Sequence, residues 1–193
     1  MRIIGGRLKG KTIEPPQGYK ARPTTDFAKE GLFNVLNNEY ELEGLQVLDL
    51  FGGTGAISFE FASRGASMVY CVEMLPLHSN FIRSQATRFG LKNLTVVRHN
   101  VFEFLEICRE KFDIIFADPP YALDDLATIP DKVFAKDILH PGAYFILEHP
   151  ADYDFSQHPY FLKERKYGNV HFSFFEAPSG QGESSDVPGE VRP

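Results

Sequence analysis

Apolar and polar positions along this chain switch repeatedly between a period of two and a helical period, and the switches mark out its elements. Residues 1–16 hold two short alternating pieces, Arg2-Ile3-Ile4 and Lys11-Thr12-Ile13, around Gly5-Gly6 and Gly10; they predict a small hairpin ended by Pro15-Pro16. A helix is predicted to begin within Arg22-Pro23-Thr24-Thr25-Asp26, capped by Thr24 or Thr25, with Phe27, Leu32, Phe33, Val35 and Leu36 on its buried side. Apolar runs at 46–51, 67–73, 95–99, 112–117 and 143–148 predict strands. Between them, 56–63, 76–89, 101–108 and 124–139 predict helices, the last in spite of Pro130. Residues 161–167 and 170–176 predict a closing hairpin around the turn pair Gly168-Asn169. Strands alternating with helices imply βαβ units and a mostly parallel sheet. From Ser179 onward Gly, Ser, Glu and Pro dominate, which predicts a disordered tail.

The chain is organised around Val47-Leu48-Asp49-Leu50-Phe51-Gly52-Gly53-Thr54-Gly55. A buried strand runs into glycines, which let the backbone turn tightly and approach a ligand closely, and the turn feeds a helix whose free N–H groups face that ligand. This predicts a nucleotide-type pocket at the carboxyl end of the strand. Glu73 ends the next strand, 24 positions after Asp49, where a carboxylate can accept from ribose hydroxyls. Asn100 ends the third strand, where its amide oxygen can accept from an amino group or simply form a turn.

Asp118-Pro119-Pro120-Tyr121 follows the apolar run Ile114-Ile115-Phe116-Ala117 and is the most specific of these sites. Two prolines at a strand exit cannot continue a ladder; they fix the backbone direction and hold carbonyls in a rigid arc beside the carboxylate. Acceptors clustered without a strong donor suit an amino group that must be oriented and kept electron-rich. The Tyr121 ring offers a face on which a base can stack.

Composition and charge add bounds. The 193 residues suit one domain, 43% of them hydrophobic, and no apolar run reaches the roughly 18 residues of a membrane helix. Residues 1–6 lack the apolar core of a signal peptide, and Cys71 and Cys108 show neither metal-ligand nor redox spacing, so a reduced, cytoplasmic protein without metal is expected. The net charge is −6. Arg2, Arg7, Lys9, Lys11, Lys20, Arg22 and Lys29 against Glu14 and Asp26 leave residues 1–29 at +5 and therefore the remainder at −11, a basic arm on an acidic body.

With these motifs in place the chain resembles class I S-adenosylmethionine-dependent methyltransferases, and more closely the RsmD family, which methylates N2 of a guanine in 16S ribosomal RNA. The resemblance covers residues 1–176. It rests on Arg2-Ile3-Ile4-Gly5-Gly6 with Lys9-Gly10-Lys11, on Arg22-Pro23-Thr24-Thr25-Asp26 with Leu32-Phe33-Asn34, on the glycine turn, and on Asp118-Pro119-Pro120-Tyr121. It implies an α/β, Rossmann-like fold with a seven-stranded sheet whose last strand is antiparallel, helices on both faces and a small N-terminal hairpin extension. The implied division is an arm at 1–22, a methyltransferase domain at 23–178 and a tail at 179–193. S-adenosylmethionine would lie across Asp49, Phe51, Gly52, Gly53, Thr54, Gly55, Glu73, Met74, Asn100, Val101 and Asp118. Asp118, Pro119, Pro120 and Tyr121 would carry catalysis. The charge asymmetry leads us to expect RNA contacts from Arg2, Arg7, Lys9, Lys11, Arg22 and Thr25; if the five basic residues among them line the face beside Tyr121, they also steer the target base. The expected partner is ribosomal RNA, free or in an assembling small subunit, and the expected state a monomer.

Three positions depart from the family pattern. Gly52 stands where alanine is usual, a harmless exchange in a turn; Phe27 replaces an arginine; Asn100 replaces an aspartate and loses a charge. Two rivals share some features. An adenine-N6 methyltransferase also uses Asp-Pro-Pro-Tyr. A dinucleotide-binding protein shares the glycine turn but has Ser58 where its fingerprint needs Gly or Ala, and gives residues 118–121 no role.

Overall fold

The computed structural model describes residues 1–16, 18–19 and 25–180. Five of the apolar runs become parallel strands: β1 (Gln46–Asp49), β2 (Met68–Val72), β3 (Leu94–Val97), β4 (Phe112–Ala117) and β5 (Leu139–His149). The hairpin β6 (Phe161–Tyr167) and β7 (Val170–Glu176) returns so that β7 pairs antiparallel with β5 and β6 lies outermost. The order is β3-β2-β1-β4-β5-β7-β6, the seven-stranded sheet expected.

Alternation along each strand feeds two cores. Val47, Ile114, Phe116, Ile146, Phe172 and Phe174 face one way, under α1 (Asp26–Glu39), α2 (Ala56–Ser63) and α3 (Pro76–Arg88). Leu48, Ile115, Phe145, Leu147 and Phe175 face the other way, under α4 (Val101–Ile107) and α5 (Ile129–Phe134). Thr25 caps α1, its hydroxyl accepting from Ala28 N at 3.1 Å. None of the helices among the described residues is long and apolar enough to cross a membrane.

Phe27, expected on the buried side of α1, is 66% exposed, and the N-terminal hairpin is reduced to one bridge between Arg2 and Thr12. A helix also differs from the sequence reading. The helix expected over 124–139 shrinks to a 3-10 turn (Leu126–Thr128) and the six residues of α5. Pro130 explains this: it has no N–H to give and is tolerated only in a first turn, where it sits. The residues released join β5, which starts at Leu139 and pairs with Phe112 before a break in register that spans Pro141-Gly142.

The N-terminal pieces meet through a bridge between Arg2 and Thr12, with Ile3 N donating to Lys11 O at 2.9 Å. Between them Gly6–Leu8 forms a 3-10 turn. Ile3, Leu8 and Ile13 are buried in the first core, so the segment packs on the body. Its backbone is fastened to α2: Ile4 N donates to Glu60 Oε2 and Leu8 N to Ser63 Oγ, both at 2.9 Å, while Ser63 Oγ donates to Gly5 O at 2.6 Å. Gly6 is needed here, because it has φ 69° and a Cβ on it would lie 1.9 Å from Ser63 O. Glu60 is fully buried and also holds Arg64 at 2.9 Å and Lys29 at 3.7 Å. Lys29, 1% exposed, donates in turn to the Arg2 carbonyl.

Removing one partner of such a buried cluster strands the others. Glu60→Ala should therefore cost about 3–5 kcal/mol of unfolding free energy, read by urea denaturation. A loss within about 1 kcal/mol would mean that Lys29 is solvated in the native state.

Candidate active site

A cavity of about 520 Å3 opens at the carboxyl ends of the central strands. Its floor is the end of β1. There Leu50 N donates to Phe116 O at 2.9 Å on the β4 side, and Gly52 N to Val72 O at 2.8 Å on the β2 side. The turn then closes with Gly55 N donating to Gly52 O at 2.6 Å, and Gly55, at φ 79°, stands at the N-terminus of α2 with no side-chain cap. The first-turn N–H groups of α2 thus lie behind the glycine turn. A Cβ on Gly52 would sit 2.5 Å from Cys71 Sγ, so Gly52 and Cys71 fit each other.

Glu73 braces the turn. Its Oε2 accepts from Gly53 N at 2.9 Å and its Oε1 from Leu75 N at 2.7 Å. Tyr19 closes over the same turn, its hydroxyl donating to Gly53 O at 2.5 Å and its ring stacked on His78 at 3.9 Å. Burial, with the Glu73 charge nearby, pushes the Tyr19 phenol up.

Asp49 is 1% exposed and accepts from Ser58 Oγ at 2.6 Å through Oδ2, while Oδ1 has no hydrogen-bond partner among the described residues. Burial pushes its carboxyl up from 3.8 to about 6, against the opposing pull of Ser58. Asp118 leaves the end of β4 toward the cavity, followed by buried Pro119, exposed Pro120 and Tyr121. The Tyr121 hydroxyl donates to Glu148 Oε1 at 3.2 Å.

The cavity brings together Thr25, Asp49, Phe51, Gly52, Gly53, Thr54, Glu73, Met74, Asn100, Val101 and Asp118 through Tyr121, all anticipated from sequence. Gly55 serves by shaping the turn. Asn100 takes the blander of its two readings as regards its oxygen. Oδ1 caps α4 by accepting from Phe102 N at 2.9 Å and Glu103 N at 3.3 Å, while the amide nitrogen faces Met74 Sδ at 3.9 Å.

Arg7, Lys9 and Lys11 lie away from the face beside Tyr121. Arg7 donates to Gly90 O just past the end of α3, and Lys11 lies beside Arg88 and Phe89. α3 starts at the cavity edge of the sheet and leads back to the start of β3, so these residues, and Lys9 with them, sit at the opposite edge from Tyr121. The fastening of residues 4–8 to the far end of α2 dictates this. Arg2 pairs with Asp26 at 3.8 Å and Glu30 at 4.0 Å beside the start of α1. Arg22 and the tail from 181 lie outside the described residues.

Sequence reasoning missed Glu148, Tyr19 and His78. Glu148 had a signal: it ends Phe145-Ile146-Leu147 as Asp49 ends Val47-Leu48. Away from the cavity, His149, Glu164 and His171 converge within 4.8 Å across three strands. They form a hydrogen-bonded group, His149 Nε2 with Ser173 Oγ at 2.8 Å and His171 Nδ1 with Glu164 Oε1 at 3.0 Å.

The sheet order, the glycine turn and the acidic crevice beside it define the fold of a class I S-adenosylmethionine-dependent methyltransferase. A Thermus thermophilus 16S rRNA N2 G1207 methyltransferase, solved with AdoMet and guanosine, shares that fold at TM-score 0.69 and 22% identity, over 92% of this chain and 49% of that one. Residues 1–176 match the family model described as Conserved hypothetical protein 95, and the chain belongs to that family, the RsmD family. Among similar proteins is the Ribosomal RNA small subunit methyltransferase D of Buchnera aphidicola, 28% identical over 91% of each chain. A solved hypothetical protein, also from Thermus thermophilus, is 30% identical, with TM-score 0.82 over 92% of this chain and 99% of that one.

The Asp49 carboxyl gives a measurable signature. Its proton is held to higher pH in the folded chain than in the unfolded one. Its stabilising contribution is therefore full below the unfolded value of 3.8 and is lost as pH rises through about 6. Across that window wild type should lose up to about 3 kcal/mol relative to Asp49→Asn in urea titrations. Parallel stability profiles would mean that Asp49 titrates normally.

Proposed function

We propose that this protein transfers a methyl group from S-adenosylmethionine to the exocyclic N2 amine of a guanine in small-subunit ribosomal RNA. One observation carries the reading: one cavity joins the glycine turn and Glu73 to the Asp118–Tyr121 exit, and four carboxylates line it. Such a lining suits a sulfonium cation and a neutral amine. Membership of the RsmD family supports methyl transfer, and the name of the Buchnera relative supports ribosomal RNA as substrate class.

The residues present fit the cofactor. Asp49 offers a buried oxygen without a partner among the described residues, and the Gly52–Gly55 turn allows close approach for the methionine end. Glu73, held by two backbone donors, keeps lone pairs for ribose hydroxyls beside Met74. The Val101 N–H, which the Asn100 cap does not take, is a donor for the adenine. When bound, the cofactor supplies a methyl group already activated by its positive sulfur.

The chain then has to position the amine. The N2 lone pair of guanine is delocalised into the ring. Asp118 and the Pro119 carbonyl accept the two N2 hydrogens and turn that lone pair toward the methyl donor, the prolines keeping both acceptors fixed. Tyr121 supports the face of a base withdrawn from its stack, as chemistry on a base edge requires. The new N–C bond would replace the methyl's bond to sulfur, which leaves as a neutral thioether, and the methylated amine would give its proton to the Asp118 carboxylate or to water. Lys9 and Lys11 are exposed at the far edge, so the phosphate contacts we assign to them fall on flanking RNA, away from the target base.

Mapping modified nucleosides in ribosomal RNA from a deletion strain should reveal one missing N2-methylguanine, restored by the wild-type gene. A missing N6-methyladenine would replace this reading with the adenine alternative. With purified protein, Asp118→Ala should lower kcat at least about a hundredfold with cofactor affinity kept within a few-fold. Glu73→Ala should instead weaken cofactor binding by about 1–3 kcal/mol in calorimetry. An unchanged Kd would remove Glu73 from the cofactor site.

A further inference from the structure

Glu148 is a carboxylate at the site that the chemistry above leaves without a task. It is 4% exposed and lines the cavity. It pairs across the sheet with Phe172, whose ring lies in the first core, and it accepts from the Tyr121 hydroxyl.

Strand register says where it points. Phe116 pairs with Ile146 and Ala117 with Leu147, so Asp118 and Glu148 follow side by side at the ends of adjacent parallel strands. Phe116 and Ile146 lie in the same core, on one face of the sheet, and alternation brings the residues two further on, Asp118 and Glu148, to that face. Tyr121 fastens Glu148 through its hydroxyl at 3.2 Å. Asp118 and Glu148 thus line the cavity from adjacent strand ends, and with the Pro119 carbonyl to which the proposed chemistry gives the amine they make three acceptors.

The bases differ in what they present to three acceptors. Guanine carries N1–H beside the two hydrogens of N2, three donors along one edge. Adenine carries two hydrogens on N6, flanked by the acceptors N1 and N7; cytosine carries two on N4, flanked by the acceptor N3. Two acceptors would orient any of these amines. A third is satisfied by guanine and repels the ring nitrogen of adenine or cytosine.

We propose that Glu148 reads the target base by accepting the guanine N1–H, so that it selects guanine while Asp118 and Pro119 orient the amine. This rests on the guanine-N2 reading and deepens it by naming what excludes the other amino bases. Glu148 makes no bond to the migrating methyl group and takes no proton; it is a specificity residue.

The test uses 2-aminopurine, which keeps the amine on C2 but has an unprotonated N1. RNA fragments carry guanine or 2-aminopurine at the position mapped by nucleoside analysis, and kcat/KM is measured on each. Wild type should prefer guanine at least about a hundredfold, because a buried acceptor is left facing a lone pair with the analogue. In Glu148→Gln the amide can turn either its oxygen to N1–H or its nitrogen to the bare N1. The preference should fall below about tenfold, with an absolute gain in kcat/KM on 2-aminopurine that misfolding cannot mimic. Cofactor Kd should stay within about twofold, since the reading gives Glu148 no part in holding the cofactor.

A Glu148 that merely holds Tyr121 would lower both substrates together and leave the ratio unchanged, and that result would overturn the inference. If wild type forms no N2-methylguanine at all, the broader reading fails first, and the product nucleoside distinguishes the two failures.

Discussion

The site depends on where β1 stops pairing. Through Asp49 the strand is bonded on both sides; then Leu50 still reaches β4 while Gly52 reaches β2, and the backbone between them must part the two neighbours. That divergence opens the crevice, and it falls where helices switch from one face of the sheet to the other, the position at which doubly wound folds admit ligands. The four carboxylates that line the cavity all stand at or just past strand ends. None could be moved one residue along its strand without turning to the opposite face.

The same constraint shapes the electrostatics. Strands buried on both faces have little place for charge until they end, so carboxylates collect at their carboxyl ends: Asp49 on β1, Glu73 after β2, Asp118 after β4 and Glu148 on β5. Each is restrained differently. Asp49 is held by a serine, Glu73 by two backbone amides and Glu148 by a tyrosine. The result is an acidic cavity, with Arg7 and Lys11 of the N-terminal segment held at the far end of α3.

Much of this was legible in the residues. The period changes gave α2, β4 and the closing hairpin at their observed bounds, and the other strands to within a few residues, because burial on both faces leaves a continuous apolar run. The Asp-Pro-Pro-Tyr exit and the glycine turn were equally plain, since backbone geometry restricts what can stand there. What failed was non-local. Summed charge could not reveal that Glu60 and Ser63 would draw residues 4–8 to the far end of α2. Nor could a lone Tyr19 among turn residues announce a stack on His78, which comes 59 positions later. Glu148 was readable by the rule that found Glu73, and the Asn100 oxygen was ambiguous from the start because caps and ligand contacts use the same acceptor.

Gly52 and Cys71 offer a last consequence. The thiol fills the space a side chain on Gly52 would need, it is fully buried, and burial pushes its pKa well up. A reagent that must place atoms on that sulfur cannot do so while the turn is shut. Cys71 is therefore a built-in clock for the opening of the crevice floor. The rate at which a small alkylating agent reaches it reports how often β1 and α2 part company in the native protein, with no probe attached.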